Sequence, residues 1–350
     1  MRSSRPKPLH RLCGRPMILH VLDALAELSA QKVVVVVGHR GEWVTKTLVD
    51  HAPSSLSIAF VEQPEQLGTG DAVAVGITGL PESLVDADGD VVVLPGDTPL
   101  VRAPTLASLV RHHRETEAAA TLLTAVLPDA TGYDRVVRGR DGAVERVVDG
   151  FELTAEDDPA EVATTIHCFR HAVLAPALRR LPPVSARGEN SLTGVYAVLH
   201  DAGYRVESLV TADPMEAARV NDRAQLAVAE AELRDRINER WMRRGVTMWD
   251  PERTYVDAGC HLDADVVLLP GVVLQGTCRI GAGAEIGPDC HLVDTVVGEG
   301  ARMTKATAEQ ARVGDHARIG PFAVLWPGAE VPPGALVGPF TAVDGPGGED

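Results

Sequence analysis

Along the first half of the chain, apolar residues come in short unbroken runs separated by amphipathic stretches. Val33–Val37 is an unbroken run of valines that ends at Gly38-His39, Leu56–Val61 is a second run, and Val91–Leu94 is a third. Runs of this kind, with no polar alternation, predict strands buried on both faces of a parallel sheet. Between them the spacing changes to the helical period. Residues 16–28 predict an amphipathic helix with Pro16 at its start, 41–51 a second helix, 65–80 a helix of small residues and 105–116 a fourth. Ala118–Val126 predicts another strand. The alternation predicts an α/β fold, with a mostly parallel sheet covered by helices on both faces. Beyond it the pattern loosens, with strands expected at 144–148, 164–169 and 205–209 and a helix at 192–202.

Residues 222–244 predict one long helix. Leu226, Leu233, Ile237 and Trp241 form a single apolar seam, Asp222 stands at its start and Gly245 at its end. The seam fits either an arm joining two domains or a solvated linker. From Val256 the period becomes six, through Leu262, Leu268, Leu274, Ile280, Ile286 and Leu292. It lapses over 293–312 and returns at Val313, Ile319, Leu325, Val331, Val337 and Val343. One aliphatic residue every six, often followed by glycine, is the pattern of a hexapeptide β-helix, and this one is short. The tail, 344–350, is expected to be disordered.

Composition adds limits. The chain has 350 residues, is 45% hydrophobic and only 4% aromatic, so its cores are built from small aliphatics. With 49 acidic against 33 basic residues the net charge is −16, and no basic stripe is present. That excludes a nucleic-acid-binding surface, while anionic ligands remain open to a protein that supplies a local cation. Five widely spaced cysteines without a CxxC suggest reduced thiols and a cytoplasmic location. No apolar run is long enough to span a membrane, and Met1–Arg5 is not followed by a signal-peptide core. The histidines show no metal-binding spacing.

Three places carry candidate chemistry. Val91–Leu94 breaks at Pro95-Gly96 and delivers Asp97 beyond the carboxyl end of a strand, where open α/β sheets place their ligands. Asp97 there either holds a metal ion or caps the following turn. With Asn221, in Val220-Asn221-Asp222, it offers an amide and a carboxylate to a shared Mg²⁺, completed by phosphates and waters. Lys7, between Pro6 and Pro8, is either a phosphate-neutralising cation or an ordinary surface lysine. Gln63-Pro64-Glu65-Gln66-Leu67-Gly68-Thr69-Gly70 puts two glycines around a threonine at a helix start, where backbone amides approach a ligand closely.

Taken in order, Pro6-Lys7 with Leu9-His10, Glu65–Gly70, Gly96–Leu100, Thr131-Gly132-Tyr133 and Val220–Arg223, followed by the hexapeptide repeat, resemble one family over nearly the whole chain. It is the bifunctional N-acetylglucosamine-1-phosphate uridylyltransferase/glucosamine-1-phosphate acetyltransferase family. The resemblance implies a Rossmann-like nucleotidyltransferase domain over 1–221, a linker helix over 222–245 and a left-handed β-helix over 246–343. It implies UTP, a sugar 1-phosphate (N-acetylglucosamine 1-phosphate) and Mg²⁺ as ligands, and a homotrimer formed through the β-helix. By position, Lys7 would bind phosphate and act in catalysis. Gln63, Gln66, Gly68 and Thr69 would contact the uracil base, and Asp97 and Asn221 would hold Mg²⁺.

The departures from the family carry their own expectations. Family members open with a strand and a glycine-rich loop, Leu-x-Ala-Ala-Gly-x-Gly-Thr-Arg-Met, and Met1 stands where its final methionine would be. Either the true start lies further upstream or the protein lacks its phosphate cradle, and the first is expected because loss of a central strand would also damage folding. On the sugar side, Asp134 replaces a glycine, Asp149 aligns near an expected glutamate, and Ala163-Thr164-Thr165 replaces Asn-Thr-Gly. Glu189–Gly194 replaces a Glu-Tyr-Tyr string. These changes predict an altered sugar preference or weak activity, with a non-catalytic nucleotide-binding or oligomerising relative as the alternative. In the repeat, Val324 and Trp326 stand where the family has arginines, and its Lys-Lys segment and catalytic histidine would fall beyond Asp350, so no acetyl transfer is expected.

Overall fold

The computed structural model describes residues 1–38, 41–81, 84, 89–127, 133–140, 142–148, 161–181 and 190–345. Of the sequence expectations, His39, Thr131-Gly132, Asp149, Glu189 and the tail beyond residue 345 lie outside the described residues. The chain divides into two compact units. One comprises Met1–His10 and Met17–Arg223, the other Arg11–Pro16 and Ala224–Asp350.

In the first unit, helix α1 (Met17–Ala26) starts one residue after Pro16. Pro16 instead ends β2 (Arg15–Pro16), which pairs with β1 (Arg11–Leu12) in a short hairpin belonging to the second unit. The valine run forms β3 (Val33–Val37), and after α2 (Gly41–His51) it pairs in parallel with β4 (Ile58–Glu62). Helix α3 (Thr69–Ile77) leads on to β5 (Asp90–Val93), and α4 (Ala103–Glu115) to β6 (Ala120–Val126). β7 (Arg135–Arg138), β8 (Val144–Val148) and β9 (Glu161–Arg170) follow, then α5 (His171–Leu178), α6 (Gly194–Asp201) and β10 (Val206–Val210). β6 runs parallel to β10, and β9 is inserted antiparallel between β5 and β6. β5, β6 and β10 therefore share one direction. Two cores flank these strands: Leu122 and Phe169 pack with Tyr196 of α6, and Ile166 packs with Leu106 and Leu109 of α4, all fully buried.

Continuous apolar runs imply burial on both faces, yet every residue of Val33–Val37 and of Asp90–Val93 is only half-buried. The cause is an interrupted sheet. Among the described residues, β3 pairs only with β4, and β5 only with β9. Val33–Val37 and Val91–Leu94 both line a cavity of about 2000 Å³, which Ile18 and Leu22 of α1 and Val73 and Ile77 of α3 also wall. No described helix is long and apolar enough to cross a membrane.

The second unit is a parallel β-solenoid of three sheets. Its inward side chains stack in columns, such as Val256, Leu274, Leu292, Ala308 and Leu325. The expected irregular patch at 293–312 is not a break. Val297 stacks on Ile280 and Met303 on Ile286, each one residue earlier than a full coil requires, and Ala308 continues the leucine column. A residue lost at a corner shifts the sequence period but leaves the stack intact, because stacking of inward side chains sets the register. Helix α7 (Arg223–Met242) packs the seam Leu233, Ile237 and Trp241 into this core, and Gly245, at φ +95°, closes it with its N–H on Met242. All five cysteines are buried, unpaired thiols.

Candidate active site

Beyond β5 the chain turns at Pro95-Gly96 and buries Asp97, which is 7% exposed. Its carboxylate does not cap α4, which is preceded by Arg102, and accepts instead from two cationic side chains. Lys7 Nζ donates to Asp97 Oδ2 and also, at 2.6 Å, to Asn221 Oδ1. Arg219 Nη2 reaches the same Asp97 oxygen at 3.4 Å. Asp97 Oδ1 is buried and, among the described residues, has no partner. The Val220 N–H donates to the Asp97 carbonyl at 3.0 Å, so the two distant segments are tied through their backbones.

Lys7 is presented by a short 3₁₀ turn, Lys7–Leu9, which Pro6 starts and buried Leu9 anchors. His10 beside it has its pKa lowered, first by burial and then by Arg223 and Arg5, so it adds no charge to the cluster near neutral pH. The Lys7 ammonium occupies the point on which the Asp97 carboxylate and the Asn221 amide oxygen converge, which shows that the pair can share one cation. Two hard oxygen ligands and an unsatisfied Asp97 oxygen fit Mg²⁺, which keeps waters and substrate phosphates in its shell. Among the described residues no cluster of three or more His, Cys, Asp or Glu offers an all-protein cage.

The second part of the site is the loop after β4. Gly68 has φ +109°, a backbone that only glycine adopts readily. A Cβ there would lie 2.5 Å from the Asn190 carbonyl oxygen. The loop is strapped to residues 190–192: Asn190 N–H donates to Leu67 O at 2.7 Å, Gly70 N–H to Asn190 O at 2.8 Å, and Leu192 N–H to Thr69 Oγ1 at 2.9 Å. Gln63 turns back on the loop, donating to Asp71 Oδ2 at 2.7 Å. Gln66 and Thr69 line the cavity together with Lys7, Asp134 and Arg219, whereas Gln63 and Gly68 do not.

On the expected sugar side, Asp134 lines the cavity and its carbonyl accepts from Ala163 N–H at 2.8 Å. Ala163 itself is a buried core residue of β9, and its neighbour Thr165 lines the cavity instead. Two participants escaped the sequence reading. Arg219 stands two residues before Asn221 in a string whose signal was the asparagine, and Asn190 acts through its backbone, which no residue pattern reveals.

The arrangement can hold a divalent cation against Asp97 and Asn221, with Lys7 close by to meet oxyanions. Residues 1–193 match the model of the MobA-like NTP transferase domain. The chain is 42% identical over 315 residues to the bifunctional protein GlmU of Thermobifida fusca, with 90% of this chain and 64% of that protein covered. It is 39% identical over 316 residues to the GlmU of Shouchella clausii, covering 90% of this chain and 67% of the relative. The chain thus spans about two thirds of the length of such relatives. In fold it is similar to HddC from Yersinia pseudotuberculosis, at a TM-score of 0.50 and 13% identity, over 67% of this chain and 92% of that one.

Proposed function

Because the chain belongs to the MobA-like NTP transferase family, and with it to the family of bifunctional GlmU proteins, we propose that it is a sugar-1-phosphate nucleotidyltransferase acting on UTP and N-acetylglucosamine 1-phosphate. The observation that carries this reading is the convergence of Lys7, Asp97 and Asn221 beside the cavity that Gln66 and Thr69 line. A phosphate oxygen of the sugar 1-phosphate attacks the α-phosphorus of UTP in line, the bond to the β-phosphate bridge breaks, and pyrophosphate leaves. Asp97 and Asn221 would hold Mg²⁺, which when bound neutralises charge on the phosphates. Lys7, released from Asp97, turns its ammonium to the same oxyanions. Gln66 and Thr69 face the base, and the strap to residues 190–192 keeps their loop in place.

The test is pyrophosphate release from UTP with Mg²⁺ and a panel of sugar 1-phosphates. It is run on this chain and on a form extended ahead of Met1, since among the described residues β3 and β5, which both line the cavity, each pair along one edge only. Release with N-acetylglucosamine 1-phosphate supports the reading. UTP binding without release from any sugar phosphate in either form favours a non-catalytic relative. The solenoid is proposed to assemble the protein as a homotrimer. A solution mass near 37.1 kDa by light scattering, the mass of one chain, would refute that. No acetyl transfer is expected, because Val324 and Trp326 offer no cation to an anionic substrate. Release of free CoA above background with glucosamine 1-phosphate and acetyl-CoA would overturn this.

A further inference from the structure

Arg219 has no role in the reading above, and its surroundings are unusual. Its Nη2 meets Asp97 at 3.4 Å, beyond the usual range of a charge-assisted bond. Its Nε is buried and, among the described residues, has no partner. Its side chain lines the cavity with Lys7, Asp134, Gln66 and Thr69. The guanidinium thus has N–H groups that the described residues do not use.

The backbone carrying it is well fixed. Glu216, 1% exposed, accepts from Arg102 Nε at 2.7 Å and from the Arg102 backbone N–H at 3.0 Å. On the other side Val220 is buried and hydrogen-bonded to Asp97. Arg219 is therefore held between two anchors with a loosely engaged head.

Charge decides what the head does. Asp97 faces two cationic side chains, Lys7 and Arg219. A divalent cation taken up by Asp97 and Asn221 satisfies the carboxylate and repels both. Lys7 carries three donors as a point charge, while a planar guanidinium matches two oxygens of one phosphate. We propose that Arg219 is a substrate-binding residue of this site: its guanidinium leaves Asp97 when the divalent cation binds and clamps phosphate oxygens of the substrate. The proposal rests on the nucleotidyltransferase reading for the identity of the phosphate, but not for the binding itself.

The experiment is equilibrium calorimetry on the full chain with UTP, with N-acetylglucosamine 1-phosphate, and with N-acetylglucosamine lacking phosphate, each in Mg²⁺ and in EDTA. Wild type is compared with Arg219→Gln and Arg219→Lys. Arg219→Gln is expected to weaken at least one phosphate ligand by about tenfold or more, as for loss of a charged hydrogen bond. The loss is larger in Mg²⁺ than in EDTA, a difference that a merely structural role would not produce. Arg219→Lys, which keeps the charge and loses the fork, falls between. Binding of the unphosphorylated sugar stays unchanged. An effect on the sugar phosphate alone assigns Arg219 to the acceptor, and an effect on UTP alone assigns it to the donor. Wild type that binds neither phosphate ligand overturns the proposal, as does Arg219→Gln that binds both within about twofold of wild type. Phosphate binding that depends on Arg219 without any pyrophosphate release would sink the turnover reading and leave this one standing.

Discussion

Replacing Gly68 with alanine tests whether the loop proposed to face the nucleotide depends on its strap to residues 190–192. Gly68 sits at φ +109°, ψ −179°, a region that costs an L-residue about 1–3 kcal/mol. The new methyl carbon would also lie 2.5 Å from Asn190 O, 2.7 Å from Asn190 N and 3.0 Å from Asn190 C. All three are backbone atoms, so no rotamer change relieves the clash and the strap must move. Movement puts at risk the Asn190-to-Leu67 and Gly70-to-Asn190 bonds, each worth about 1 kcal/mol. Together these give on the order of 3 kcal/mol, or about a hundredfold in affinity if the strapped loop is the binding-competent form. The assay is calorimetric titration with UTP and Mg²⁺, with thermal unfolding measured on the same samples. Gly203→Ala is the control, because Gly203 has φ +76° but no atom within 4 Å of the added carbon. It should lower stability slightly and leave affinity unchanged. If Gly68→Ala binds UTP within about threefold of wild type, the strap does not position the loop and the steric argument fails.

Three further outcomes are expected. His167 is fully buried against Tyr196 and its pKa is lowered to about 3 by burial, so between roughly pH 6.5 and 3 the unfolded chain takes up a proton that the folded chain refuses. Stability should therefore fall with acidification by about 1.4 kcal/mol per pH unit from this group, and His167→Gln should flatten urea-unfolding midpoints over that window; parallel pH profiles would count against it. Lys7→Gln removes the ammonium competing for Asp97 and Asn221, so Mg²⁺ or Mn²⁺ should bind more tightly, by roughly three- to tenfold, while pyrophosphate release is lost. Metal titration that shows unchanged or weaker binding would mean that the lysine does not occupy the cation position. In the solenoid, Ile286→Ala empties a fully buried rung stacked between Leu268 and Met303, and should cost about 2–5 kcal/mol in urea unfolding, whereas a loss well below about 1 kcal/mol would mean that the coil collapses onto the gap.

Most of the fold was legible because its signals are local and repeated. Valine runs and helical spacing mark the α/β domain, and one aliphatic residue in six marks the solenoid, since each inward position contacts its equivalents in neighbouring coils. The sequence period lapses where that repetition changes phase, at 293–312, while the stack runs on, because sequence period and stacking register are different quantities. The sequence did not foresee the half-buried valines, since a strand's pattern shows its preference for burial but not whether both edges find a partner.

The site divides in the same way. Glycines around Thr69, a proline-flanked Lys7, and an aspartate just past a strand are residue types that chemistry demands, and they could be picked from the sequence alone. The convergence of Lys7, Asp97 and Asn221, the loose hold on Arg219, and the dependence of Gly68 on the backbone of Asn190 belong to tertiary structure. They join positions 90 residues apart in the case of Lys7 and Asp97, and 122 apart both for Arg219 and Asp97 and for Gly68 and Asn190. A sequence specifies which groups are available, but distances between remote segments follow only from how sheets and helices pack.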